Sequence, residues 1–208
     1  ASNPYTIKIT GQGGHGASPH TTVDPVVIAS HIVIALQTIV SREIAPVNPA
    51  VVTVGTIHAG TAQNIIPGEA TISGMIRTMT KEDRAFAIER LTEIAEGIAS
   101  MSRAKAEVKV DESYPCLYNE DNCVDLLKES AEIVLGKENV LEQKAPKMGV
   151  ESFAYFAMER DAAFYFLGSG NKEKQTTEPA HSNLFNIDED CLPIGVAIQA
   201  TAAYNYLT

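Results

Sequence analysis

The stretch Tyr5-Thr6-Ile7-Lys8-Ile9-Thr10-Gly11-Gln12-Gly13-Gly14-His15-Gly16-Ala17-Ser18-Pro19-His20 decides the fold, because it supports two opposed readings. Its first six residues alternate apolar and polar, the pattern of a half-buried strand. Gly11, Gly13 and Gly16 then spell G-x-G-x-x-G, which after a strand and before a helix is the fingerprint of a dinucleotide site. The helix signal that follows is Asp24-Pro25, a good N-cap followed by a residue suited to the first helical position. It comes too late: a helix starting there cannot lay its N-terminus against a pyrophosphate held by the glycines. The next strand pattern also does not end in the acidic residue that holds a ribose. Dinucleotide binding is therefore disfavoured, and the glycines read as a loop whose backbone takes positive φ and comes close to a ligand.

Outward from this loop the pattern is regular. Ala29, Ile32, Val33, Leu36 and Val40 form one helical face through about residue 41. Asn48-Pro49 breaks the chain before a β-branched strand at 50–59. A turn region at 60–68 leads to a strand at 69–78, with Ile72 and Ile76 on one face. Thr80-Lys81-Glu82-Asp83 opens a helix that buries Phe86, Leu91, Ile94, Ala95 and Ile98, and residues 104–110 alternate again as a strand. The order β-α-β-β-α-β is the split βαβ, ferredoxin-like arrangement, with two helices on one face of a four-stranded antiparallel sheet. The other sheet face is left to solvent or to a partner.

Tyr114-Pro115 marks a boundary. Beyond it the sequence predicts a helix at 121–135 stopped by Gly136, a strand at 139–142, and a turn at Pro146-Lys147-Met148-Gly149. A short helix from Glu151 to Glu159, a strand at 162–167, a polar loop at 169–180 and a helix at 188–207 follow. The last helix should bury Ile194, Ala197, Ile198, Thr201 and Ala202. Two strands are too little sheet for an independent α/β domain, so this half reads as part of one. The chain is thus expected to be α/β (α+β), divided into residues 1–113 and 114–208.

Composition narrows the function. Among 208 residues, 26 are acidic and 16 basic, a formal net charge of −10, which disfavours nucleic acid and anionic membrane surfaces as partners. No uninterrupted run of eighteen apolar residues is present, and no basic segment leads into an apolar one as in a secretion signal. Cys116, Cys123 and Cys191 are odd in number without close pairing, which suits a reducing, cytoplasmic setting. The chain has no initiating Met and enters a strand at once, so it is expected to begin inside a larger protein.

Several side chains can carry chemistry. His15, among glycines, can donate to an oxyanion or a carboxylate, or can be a surface histidine in a tight turn. Asn64 and Arg77 flank the second hairpin. Arg77 alternates onto the face away from Ile72 and Ile76, where it can grip a carboxylate bidentately or simply be solvated. His181, after the long polar loop, can be a metal ligand, a base or neither. Glu151 suits a helix start on dipole grounds alone. His31 and His58 read as structural, and Cys116 has no histidine near it in sequence to make it a nucleophile.

Five stretches in order carry a resemblance: Gly11 to His20 with Asp24-Pro25; Asn64-Ile65-Ile66-Pro67; Gly74-Met75-Ile76-Arg77-Thr78; Pro146-Lys147-Met148-Gly149-Val150-Glu151-Ser152-Phe153; and His181-Ser182-Asn183-Leu184-Phe185. Together they resemble the aminoacylase/carboxypeptidase family of dinuclear metallohydrolases, in the branch of N-acyl-amino-acid amidohydrolases, hippurate hydrolases and indole-acetyl-amino-acid hydrolases. The resemblance implies a ferredoxin-like lid, or dimerisation, domain inserted into a catalytic domain. It implies a homodimer joined through the lid, and a small N-acyl amino acid or dipeptide as substrate. Two divalent ions (zinc, manganese, cobalt or nickel) are implied in the complete enzyme. By the same resemblance His15 reaches the partner's active site and polarises the scissile carbonyl, Asn64 and Arg77 bind the substrate's carbonyl and carboxylate, and His181 ligates one metal. Ser152 departs from the family, which usually has Asp there. The family's His-Ala-Cys-Gly-His-Asp stretch, Glu-Glu pair and further His are not in this sequence, so the chain by itself is expected to be inactive. A dimerisation module without catalysis is the rival expectation.

Overall fold

The computed structural model describes residues 1–208 and divides into two compact units, Ala1–Leu117 with Lys147–Ser152, and Tyr118–Pro146 with Phe153–Thr208.

The first unit is built on a four-stranded antiparallel sheet of β1 (Ser2–Thr10), β3 (Ala50–Ala59), β5 (Glu69–Thr78) and β6 (Lys105–Val110), in the order β3-β5-β1-β6. Two-residue strands β2 (Gly14–His15) and β4 (Ile65–Ile66) pair separately. Helices α1 (Pro25–Thr38) and α2 (Lys81–Met101) cover one sheet face, α1 over the β3 side and α2 over the β6 side. This is the expected ferredoxin-like fold. Asp24 caps α1 by accepting from the amides of Val26 and Val27, and Thr80 caps α2 by accepting from Asp83. The core joins Ile7 and Ile9 of β1 to Ile72 and Ile76 of β5, beneath Ile28, Ile32 and Leu36 of α1 and Leu91 and Ala95 of α2.

With its π-helical continuation Ile39–Glu43, α1 is long and apolar enough to cross a membrane. Here it is a core helix: Ile28, Ala29, Ile32, Leu36 and Ile39 are all buried. Its other side keeps Val27 and Ile34 exposed, at 51% and 69%.

One packing feature explains a motif glycine. The register of β3 against β5 shifts between Val54 and Thr56, a β-bulge. The Tyr5 hydroxyl donates to the carbonyl of Thr53 beside this bulge, at 3.0 Å. To get there the ring lies over Gly74, Tyr5's cross-strand partner, where a Cβ would sit 2.5 Å from the hydroxyl and 2.0 Å from the Thr53 oxygen. Only glycine fits. Burial pushes the Tyr5 phenol up to about 12.

The two sheet edges differ. Lys105, Glu107 and Lys109 line β6, with Lys105 paired to Glu107 and Lys109 to Asp111. Charges of this kind discourage strand addition. No acidic residue, lysine or arginine occurs in β3, and its Val51 and Ile57 are exposed.

In the second unit α3 (Asp121–Leu135), capped by Glu120 and stopped by Gly136 at φ 82°, packs on α5 (Cys191–Leu207). The buried residues of α5 include Ile198 and Ala202, both on the face read from the sequence. The expected strand at 139–142 does not form; a 3-10 turn at Lys137–Asn139 precedes it and Leu141 is exposed. Nor is 162–167 a sheet strand, because no strand lies beside it. Instead the side-chain amide of Asn119 serves as its neighbour, donating to the Phe164 carbonyl at 3.0 Å and accepting from the Phe164 amide at 2.9 Å. The Glu120 amide adds a bond to the Ala162 carbonyl. The helix expected from Glu151 begins only at Ala154 (α4, Ala154–Glu159).

Candidate functional site

The glycine loop owes its residues to close packing. None of Gly11, Gly13, Gly14 and Gly16 has positive φ, contrary to the expectation from sequence. A Cβ on Gly13 would meet the Ile66 carbonyl at 2.7 Å, and one on Gly16 the Asn64 carbonyl at 2.9 Å. The glycines let residues 11–16 lie flat against residues 64–68 as a narrow ribbon. Gly11 donates to Gly68, Gly14 stands opposite Ile66, His15 opposite Ile65, and Gly16 donates to Asn64 at 2.9 Å. The backbone amides that a pyrophosphate would need are thus partly spent within the ribbon, which removes the dinucleotide reading.

His15 and Asn64 are therefore neighbours, at the end of the sheet where β1 finishes and β5 starts. The His15 ring is exposed. Its carbonyl accepts from Ser18 at 2.8 Å, closing a turn, and its Nδ1 accepts from the Ala17 amide at 3.1 Å. The structure does not bring Arg77 to them. From Glu69 to Arg77, β5 runs roughly 26 Å at the strand rise, so Arg77 lies at the opposite end of the sheet, on its open face. There its Nη1 donates to the Met148 carbonyl at 2.8 Å. That bond draws the Pro-Lys-Met-Gly turn to the sheet and leaves the Nε and Nη2 edge of the guanidinium for a carboxylate.

In the second unit His181 is exposed in a turn at φ 70°. The base of its loop is closed by Asp188, whose carboxylate receives Lys174 at 2.6 Å and Asn171 at 2.6 Å; Lys174 also reaches Asp190 at 2.5 Å. The Lys174 ammonium and then Asn171 hold the Asp188 carboxyl below its ordinary value. Glu151 sits in the first unit with its carboxylate accepting from the Ser152 hydroxyl at 3.2 Å. Burial, then the charges of Glu120 and Asp161, push the Cys123 thiol up, which makes it a poor nucleophile. No three His, Cys, Asp or Glu side chains gather to hold a metal. A dinuclear centre needs several protein ligands per ion, so the residues present do not fit one by themselves.

Residues 3–100 match the M20 peptidase dimerisation domain. That stretch is an M20-type peptidase dimerisation domain. The chain is 35% identical over 203 residues to thermostable carboxypeptidase 2 of Saccharolobus solfataricus, covering 97% of this chain and 51% of that one. It is 33% identical over 207 residues to hippurate hydrolase of Campylobacter jejuni, covering 100% of this chain and 53% of that one. Among solved structures it is similar to a dinuclear metal-binding M20 peptidase of Bacillus subtilis, at 28% identity and a TM-score of 0.76, over 98% of this chain and 49% of the other. The chain spans about half the length of each of these relatives. At family level these relatives are hydrolases, amidohydrolases and peptidases, and the matched domain is one that dimerises.

The ribbon strands β2 and β4, the Ala17 amide and the Met148 anchor are not foreseen from sequence. Two-residue strands carry no periodicity, and backbone partners leave no side-chain signal. The nearest hint is the spacing of Gly13 to Gly16 against Ile65-Ile66-Pro67.

Proposed function

We propose that this chain is the dimerisation domain and C-terminal portion of a metal-dependent amidohydrolase that cleaves the amide bond of N-acyl amino acids. Each active site is completed by a second copy. The observation that carries the reading is the separation of His15 and Asn64 from Arg77 along β5. One copy cannot bring these groups onto one small substrate, but two can. The uncharged β3 edge, beside the exposed Val27 and Ile34 of α1, suits a two-fold interface. Strands paired edge to edge about a two-fold axis run antiparallel, so the Ala59 end of one β3 lies beside the Ala50 end of the other. The Ala59 end leads into the His15–Asn64 ribbon, while Ala50 and Val51 are in register with Thr78 and Arg77. The ribbon of one copy then approaches Arg77 of the partner subunit.

In that arrangement His15 and the Asn64 amide donate to the scissile carbonyl oxygen, where negative charge grows during attack. Arg77 holds the substrate carboxylate through its Nε and Nη2 edge, fixed in direction by Met148. His181 is the residue of this chain assigned to a divalent ion, with its other ligands and the general base supplied by sequence outside these 208 residues. Such ions supply an activated water when bound. The three free thiols suit a reducing, cytoplasmic setting.

The substrate class is supported by the hippurate hydrolase relative, and the carboxypeptidase relative supplies the competing class. The test is hydrolysis by the full-length enzyme of N-acyl amino acids against matched dipeptides with a free amine. Faster release from the acyl series is expected; a preference for the dipeptides overturns this substrate. His15→Ala in the same enzyme should lower kcat roughly a hundredfold, the loss of one oxyanion donor.

A further inference from the structure

We infer that the backbone amide of Ala17 holds His15 in the tautomer protonated on Nε2, so that the imidazole meets its ligand as a hydrogen-bond donor and not as an acceptor. The neutral ring has one donor and one acceptor nitrogen, and whichever nitrogen accepts a bond leaves the proton on the other. In this chain Nδ1 is the acceptor, at 3.1 Å from the Ala17 nitrogen. A backbone N–H can only donate, so the bond exists only while Nδ1 is bare.

The bond is built by the local chain. The turn closed by Ser18 onto the His15 carbonyl brings the Ala17 N–H back over the His15 ring. Gly16, the residue between, is pinned by its own bond to the Asn64 carbonyl, where a side chain has no room. The arrangement resembles an Asx-turn, with imidazole nitrogen in place of the side-chain oxygen. An exposed ring on a surface loop ordinarily turns freely; here one nitrogen of the turn, that of Ala17, fixes both its direction and its proton. Ala17 is thus a positioning residue that acts through its backbone alone, which is why no side-chain pattern announces it. The tautomer stands on this geometry; its use in catalysis rests on the role proposed above for His15.

The experiment is nitrogen NMR on the 208-residue chain with labelled histidine, at a pH where the ring is neutral, the His15 signals being identified by their loss in His15→Gln. The expected result is a bare Nδ1, a protonated Nε2, and a scalar coupling across the hydrogen bond from the Ala17 amide to Nδ1. Ala17→Pro, which removes that N–H, should reduce the tautomer preference about three- to tenfold, the equivalent of one net hydrogen bond. A protonated Nδ1, or a ratio unchanged by Ala17→Pro, overturns the inference. Should the proline variant fail to fold, the coupling in the unaltered chain decides by itself: its presence supports the inference and its absence overturns it. In the full-length enzyme the separate variant His15→Ala should lower kcat roughly a hundredfold. If it does not while Nδ1 is bare in the parent, the catalytic role of His15 falls and the tautomer assignment stands.

Discussion

Gly16 donates its amide to the Asn64 carbonyl at 2.9 Å, and that bond ties the backbone next to His15 to the backbone of Asn64. Because a Cβ at residue 16 would sit 2.9 Å from the same oxygen, Gly16→Ala must open the ribbon. The sheet and core lie elsewhere, so thermal unfolding of the variant should stay within a few degrees of the parent. Its kcat in the full-length enzyme should fall at least about tenfold through misplacement of His15 and Asn64. Steady-state kinetics beside a melting curve separates the two effects; a large drop in stability with normal kcat would refute this use of Gly16.

Tyr5→Phe removes the 3.0 Å donor from the Thr53 carbonyl, a partly buried bond. The expected cost is about 0.5–1.5 kcal/mol, read as a lower denaturation midpoint with an unchanged slope. The pH dependence has a definite sign. The folded phenol is raised from 10.0 to about 12, so the native state binds the proton more tightly than the unfolded chain. Stability from this group is complete below pH 10 and lost as pH rises from 10 to 12. The parent should therefore show a steeper alkaline loss than Tyr5→Phe; parallel profiles would contradict the burial of the phenol.

Val27→Lys with Ile34→Lys on the exposed side of α1, or Ile57→Lys on β3, should convert a dimer to a monomer in light scattering. Glu107→Lys on β6 should leave the dimer intact, because that edge already carries alternating charge. Loss of the dimer with Glu107→Lys, and not with the β3 or α1 variants, would place the interface on the opposite edge.

The ferredoxin-like unit is legible in the sequence because each element follows one period. Ile7 and Ile9 alternate in β1, Ile72 and Ile76 share a face of β5, and Asp24 and Thr80 announce their helices. The second unit is less legible. Ala162 to Leu167 reads as a strand by composition, yet a strand also requires a neighbour, and Asn119 fills that place with a side chain. The site is half legible: His15, Asn64, Arg77 and His181 stand out as residue types, but their grouping depends on register. Asn64 and Arg77 bracket one hairpin in sequence and sit at opposite ends of its strand in space. The ribbon that pairs His15 with Ile65 and holds Asn64 against Gly16 consists of two-residue strands, below the length at which a period exists.

The most direct test of the two-copy site is to mix two full-length variants, His15→Ala and Arg77→Met, each impaired alone. If one copy supplies His15 and the other Arg77, a mixed dimer holds one intact and one doubly damaged site. Random exchange between the variants should then restore roughly a quarter of the parent's activity, as two-fold symmetry dictates. Activity that stays at the level of the separate variants, with exchange of subunits verified, would show that each copy completes its own site and would contradict the account.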